Sequence, residues 1–122
     1  MARTISPINQ IDRMFRAFAD RSRLRILHLL QRGEMCVGDV HTILELPQPR
    51  ASRHLAYLRK AGLVKVRRAG QWSYYSLASP GTPFHQKLVE CLGCCFAEVP
   101  EFKADETRAR KLKKSGGCCP KN

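Results

Sequence analysis

Residues 46–77 read LPQPRASRHLAYLRKAGLVKVRRAGQWSYYSL. LPQP, residues 46–49, breaks one element and restarts another, because proline fits the first turn of a helix and not its interior. From about residue 49 to 61 the apolar positions Leu55 and Leu58 fall on one side at helical spacing, and Gly62 supplies the stop. The period then drops to two. LVKVRR alternates apolar and basic residues, Ala69-Gly70 is a two-residue turn, and QWSYYSL is rich in strand-forming aromatics. A hairpin is therefore expected, with strands Leu63–Arg68 and Trp72–Leu77. A polar helix running straight into a basic hairpin decides the fold.

The flanks agree with it. Ile8, Ile11, Phe15 and Phe18 recur at helical spacing over residues 7–19, with Pro7 in the first turn. Asp20 or Ser22 can cap a second helix carrying Leu24, Ile26, Leu27 and Leu30, and Gly33 follows it. A third, short helix spans about Val37 to Leu44, with Val40, Ile43 and Leu44 inward. After a linker at residues 79–83, Phe84, Leu88, Cys91, Leu92 and Cys95 mark one side of a last helix, about 83–97, stopped by Pro100. The expected fold is α+β and mostly α: a winged helix–turn–helix of about five helices with a two-stranded β-hairpin wing. Residues 1–97 would form this one winged helix–turn–helix domain. Residues 98–122 read as a frayed helix or a charged, flexible tail that ends in Cys118-Cys119.

Charge points to a polyanion. The net charge is +12, and no acidic residue stands between Glu45 and Glu90, an interval with Arg50, Arg53, Arg59, Lys60, Lys65, Arg67, Arg68 and Lys87. A solvated basic face is the plainer reading of the same pattern. No apolar run approaches the length of a membrane span, and the basic stretch lacks the apolar belt of a membrane-surface helix. MARTISPINQ, residues 1–10, has no apolar signal region, so the expected compartment is the reducing cytoplasm, where six cysteines stay available for metal or redox chemistry.

In a helix–turn–helix the second helix presents side chains from its first turns to base edges in the major groove. Here these are Gln48, Arg50, Ser52, Arg53, His54 and Tyr57. Arginine can grip guanine with two hydrogen bonds, whereas Arg59 and Lys60, further along, suit phosphates. Arg67, Arg68 and Gln71 flank the hairpin turn, where a basic wing can reach a minor groove. Trp72 at strand spacing is better suited to packing the hairpin than to stacking on bases.

FRAFADRSRLRILHLLQRGEMCVGDV (residues 15–40) and the 46–77 stretch together resemble the ArsR/SmtB family of winged-helix repressors, over about residues 8–97. That resemblance implies a cytoplasmic homodimer that holds double-stranded operator DNA and leaves it when a metal, metalloid or thiol oxidant arrives. It also implies a dimer built from the first and last helices, which matches the apolar faces at Ile8–Phe18 and Phe84–Leu92. One family site has two thiolates in the pattern E-L-C-V-C-D-L. This chain reads EMCVGDV (residues 34–40), so Cys36 stands alone and Gly38 replaces the second ligand. A family zinc site on the last helix needs an Asp two places before a His. At His85 that place is Pro83, and no histidine follows.

Cys91, Cys94 and Cys95 remain, at spacings that share one side of a helix. Three thiolates suit a soft three-coordinate centre. As(III) and Sb(III) fit that chemistry as inducers, and Cd(II) or Pb(II) would be competent. Cys94 and Cys95 diverge by about 100° on a regular helix, so joint ligation requires Gly93 to deform the turn or a neighbouring chain to contribute, and Cys118 or Cys119 could supply a missing ligand. A redox or persulfide switch and simple packing are the alternatives for these thiols.

An enzyme is not expected. There is no glycine-rich phosphate loop, no informative carboxylate pair, and no organic-cofactor motif. Cys91-Leu-Gly-Cys94 has dithiol spacing but falls at a helix end, away from the N-terminus that would activate a thiol. A structural-zinc module would need two separated ligand pairs, and here the second pair lies in the tail.

Overall fold

A computed structural model describes residues 6–117; the expectations for Cys118 and Cys119 lie outside the described residues. Ser6 and Asp20 cap the first two helices by accepting the Asn9 and Arg23 amides. The helices run α1 Pro7–Phe18 and α2 Arg21–Leu30, followed by strand β1 Met35–Cys36 and α3 Val37–Leu44. Next come α4 Gln48–Lys60, β2 Val64–Ala69, β3 Trp72–Leu77, α5 Pro83–Cys94 and α6 Pro100–Lys114.

The turn between α3 and α4 is set by Glu45, which takes a left-handed conformation (φ 56°) while the Leu46 amide returns to the His41 carbonyl. That closure lets α4 restart within three residues on Pro47 and Pro49. Leu55 and Leu58 are fully buried against Ile26, Leu27, Val40, Ile43 and Leu44, so the apolar stripe of α4 faces the core as its spacing predicts. Its Arg50, Arg53, Tyr57, Arg59 and Lys60 remain on the surface.

Three features differ from the sequence reading. The wing is a three-stranded sheet in the order β1-β3-β2, because Met35 and Cys36 pair with Tyr75 and Tyr74. Two residues are too short to show a strand period. The last helix of the core stops at Cys94 and not near residue 97.

The largest difference is in the segment read as a frayed helix or a flexible tail. Residues 100–114 form α6, a sixth helix, and Pro100 starts this element as well as separating it from α5. Phe102, Asp105 and Ala109 point inward at helical spacing, and α6 packs on α2 and α3. Average charge concealed this stripe, since one of its buried members is an aspartate.

The first helix keeps Met14 and Ala17 for the chain's own core and leaves Ile8 and Phe15 exposed. Phe15 meets Phe84 of α5 edge to face at 5.2 Å. An apolar strip shared by α1 and α5 therefore lies on the outside of the single chain. Among the described residues no helix is long and apolar enough to cross a membrane.

Candidate functional site

The α4 surface is held from beneath by Arg23, a residue the sequence reading did not single out. Its guanidinium donates to the Ala17 and Arg16 carbonyls, each at 2.9 Å, and lies 4.1 Å under the Tyr57 ring. It also approaches Asp20 at 3.8 Å and the His54 Nδ1 at 3.5 Å. Tyr57 and His54 thus fix α4 against α1 and α2 as well as facing outward. Burial, outweighing the nearby Asp20 carboxylate, holds the His54 imidazole below its ordinary pKa, and Arg23, Arg50 and Arg53 push the same way. Gln48, Arg50 and Arg53 stand exposed along the first two turns, with Ser52 half-buried beside them.

On the wing, the guanidinium of Arg67 grips Glu34 through two bonds of 3.0 and 2.7 Å and lies 4.6 Å from the Tyr74 ring centre. Arg67 ties the hairpin to the α2–β1 connection while its side chain stays 47% exposed. Arg68 bonds the Ser73 hydroxyl at 3.2 Å and, with exposed Gln71, flanks the Gly70 turn. Trp72 is half-buried, in keeping with packing.

At the other end of the molecule, α5 terminates in the thiol pair. The Cys94 and Cys95 sulfurs lie 3.6 Å apart, and the Cys94 thiol donates to the Glu90 carbonyl at 3.1 Å. Cys95 is the C-cap, still in helical conformation with its amide returning to the Cys91 carbonyl, and the two neighbouring side chains turn their sulfurs toward each other. The Cys95 thiol, by hydrogen bonding and charge, pushes the Cys94 thiol above its ordinary pKa, because two neighbouring thiolates repel. Cys91 is half-buried one turn back, and among the described residues no three His, Cys, Asp or Glu side chains are already gathered around a metal position. His85 is buried behind the Thr82 cap with its Nδ1 facing the Gly81 amide at 3.4 Å.

A continuous set of contacts joins this thiol pair to the α3–α4 turn. Phe96, next after Cys95, meets Phe102 of α6 at 5.5 Å, and Phe102 stacks on His28 of α2 at 4.5 Å. One turn further along α6, Asp105 is fully buried and receives both arms of Arg25 at 2.9 and 2.8 Å. Arg108 reaches the same carboxylate at 2.6 Å. The two arginines also donate to the Leu44 and Ile43 carbonyls, the last turn of α3. An ion-paired clamp on α6 therefore grips the helix end that positions α4. Asp105 carries no sequence signal beyond its place in the Phe102–Ala109 stripe.

Comparison with known proteins agrees with this architecture. Residues 20–66 match the model of the family described as bacterial regulatory protein, arsR family. The arsenic resistance transcriptional regulator ArsR1 of Pseudomonas putida is 51% identical over 65 residues, 52% of this chain and 51% of that one, so the similarity spans about half of that relative's length. HlyU from Vibrio cholerae superposes with a TM-score of 0.66 at 32% identity, over 78% of this chain and all of that one. A homodimeric winged helix-turn-helix DNA-binding domain from Mycobacterium bovis, described as a possible ArsR-family regulator, gives 0.64 at 30% identity over 82% and 94% of the two chains. With its helix–turn–helix, wing and relatives all in agreement, this chain belongs to the ArsR family of bacterial regulatory proteins.

Proposed function

We propose that the chain is a homodimeric transcriptional repressor that binds operator DNA and is released by As(III) held on cysteine sulfur. The observation that carries this reading is the 3.6 Å Cys94–Cys95 thiol pair at the α5–α6 junction, coupled through Phe96 and Phe102 to the α3–α4 turn. The exposed α1–α5 strip, with Ile8 at 69% and Phe15 at 54% exposure, is the face for a second copy, in line with the homodimeric relative. Two α4 helices would then read two half-sites. Gln48, Arg50, Ser52, Arg53 and His54 contact bases or adjoining phosphates, Tyr57 supports them, and Arg59, Lys60 and Arg68 bind phosphate.

Arsenite arrives as neutral As(OH)3. Each thiol replaces one hydroxide, and its proton leaves on the departing water, so three thiols give As(SR)3 and three waters. Cys94 and Cys95 supply two sulfurs and Cys91 the third, one turn away on the same side of α5. Pulling Cys91 toward the helix end strains the α5–α6 junction, shifts Phe96 against Phe102, and loosens the hold of α6 on the α3–α4 turn. Sb(III) would act alike. A thiol-redox or persulfide response is the second reading, and the adjacent thiols favour it as well. Release by peroxide or polysulfide, with none by arsenite, would select it.

Two measurements test the reading in its parts. Arg53→Ala should weaken operator binding by about 1–3 kcal/mol, roughly 5- to 150-fold, and leave arsenite affinity unchanged. Unaltered operator affinity in an anisotropy titration would mean that α4 does not carry the reading surface. The proton balance separates the inducers. Below the thiol pKa values, arsenite exchanges thiol protons for water with no net release, so its affinity should stay nearly flat between neutral and mildly acidic pH. Cd(II) must displace the protons, and the raised Cys94 pKa makes this harder, so its affinity should fall steeply as pH drops. Parallel titrations at several pH values distinguish the two.

A further inference from the structure

The second half of α6 carries more charge than its packing explains. Arg108, Arg110, Lys111, Lys113 and Lys114 put five cations into seven positions, and no acidic residue follows Glu106 in the sequence. Arg108 is engaged in the Asp105 clamp at 2.6 Å. The other four are exposed, and none of them forms an ion pair among the described residues. A helix dipole favours a cation in its last turn. Like charges one turn apart repel, however, so Arg110, Lys113 and Lys114, at spacings of three and four, act against that gain. The set calls for an anion from outside the chain.

These cations also have a fixed place. Phe102, Asp105 and Ala109 are buried beneath α6, so the cluster rides on a packed helix. That helix ends beside the wing, where Ala109, Leu112 and Lys113 share a cavity of about 390 Å³ with Arg67 and Tyr74. Arg67 and Tyr74 are cross-strand partners, and Arg68 and Ser73 form the next pair toward the Gly70 turn. Gly116 and Gly117, at φ 97° and 77°, then turn the backbone over the first turn of α3. A Cβ on Gly117 would lie 3.1 Å from an Asp39 carboxylate oxygen there. The acids of the cavity wall do not cancel the cluster, because Arg67 holds Glu34 at 2.7 Å and Asp39 is half-buried beneath Gly117. The end of α6, the wing and the start of α3 therefore meet on one side of the molecule. In a helix–turn–helix the first of the two helices crosses the DNA backbone, and here that helix is α3.

We infer, given the reading of the chain as an operator-binding dimer, that Arg110, Lys111, Lys113 and Lys114 form a further DNA-binding surface. It takes phosphates adjoining those met by the wing. Continuity with the wing and α3 selects duplex DNA over an acidic protein. Lysines grip phosphate as point charges, so this contact adds affinity and reach and leaves sequence choice to α4. The same helix meets Phe96, next to the α5 thiols, through Phe102. Its 15 residues, about 22 Å long, thus reach from the inducer end of the molecule to the phosphates.

The test is Lys111→Gln/Lys113→Gln/Lys114→Gln in the full-length reduced protein, titrated by anisotropy onto a duplex that the wild type selects from a random-sequence pool. Each phosphate contact contributes about −0.9 to the slope of log affinity against log salt. Loss of at least two contacts should flatten that slope by about 1.8 or more, so the wild-type advantage shrinks roughly twelvefold between 50 and 200 mM salt. Lys111→Arg/Lys113→Arg/Lys114→Arg should keep the wild-type slope. An unchanged slope in the glutamine variant, whatever its affinity, would overturn the inference and leave a solvated or protein-facing patch. A wild type that selects no duplex would refute the operator-binding reading, and this contact with it.

Discussion

Replacing Asp105 with alanine is expected to destabilise the fold by about 3 kcal/mol and lower its melting temperature by on the order of 10 °C. The carboxylate is fully buried and is the shared acceptor for Arg25 and Arg108. Removing it leaves two guanidiniums facing each other at the end of α3. The loss falls at the lower end of what breaking a buried pair costs, because the Arg25 and Arg108 side chains are 17% and 32% exposed and can recover some water. Asp105→Asn keeps one acceptor oxygen without the charge and should lie between alanine and wild type. Thermal melts at one fixed protein concentration check this, since dimerisation adds a concentration-dependent part. A shift of less than about 0.5 kcal/mol would place Asp105→Ala among ordinary surface substitutions and remove the clamp from the mechanism. Operator affinity should fall with stability, because the same carboxylate fixes, through Arg25 and Arg108, the turn on which α4 is set.

The double substitution Cys94→Ser/Cys95→Ser should abolish arsenite-driven release and leave operator affinity unchanged. Both residues are exposed at the end of α5 and neither contributes to the core, so the variant should fold as wild type does. Two of three sulfurs are removed, and serine oxygen does not replace thiolate toward a soft centre. In the wild type, arsenite should weaken operator binding by a factor of about 5–150, the usual range of coupling between two sites. In the variant that factor should be one. Full release from the variant would move the sensor to other residues.

The reading helix, the short third helix and the hairpin were legible because their evidence is periodic. Leu55 and Leu58 fall at helical spacing, and LVKVRR alternates, so burial and strand formation follow from pattern alone. The thiol pair was legible as a cluster, and the fold adds that the Cys94 and Cys95 sulfurs lie 3.6 Å apart. What escaped was non-periodic or contrary to type. β1 is only two residues long and depends on distant Tyr74 and Tyr75 for its existence. Arg23 reads as one more cation in a basic chain, and only the fold places it under Tyr57. In α6, Asp105 sits at an inward position where an apolar residue would have disclosed the stripe, and charge matching from Arg25, 80 residues away, makes that burial possible. Arg67 stands beside the turn as its place in the sequence implies, and only the fold shows its pairing with Glu34.

Coupling between operator and inducer must run in both directions, since both ligands act on one conformational equilibrium. The measurement that tests this most directly is the arsenite dissociation constant of the reduced protein, first free and then saturated with operator duplex. Operator should weaken arsenite binding by the same factor by which arsenite weakens operator binding. Equal arsenite affinity in the free and DNA-bound protein would contradict release by metalloid binding at the α5 thiols.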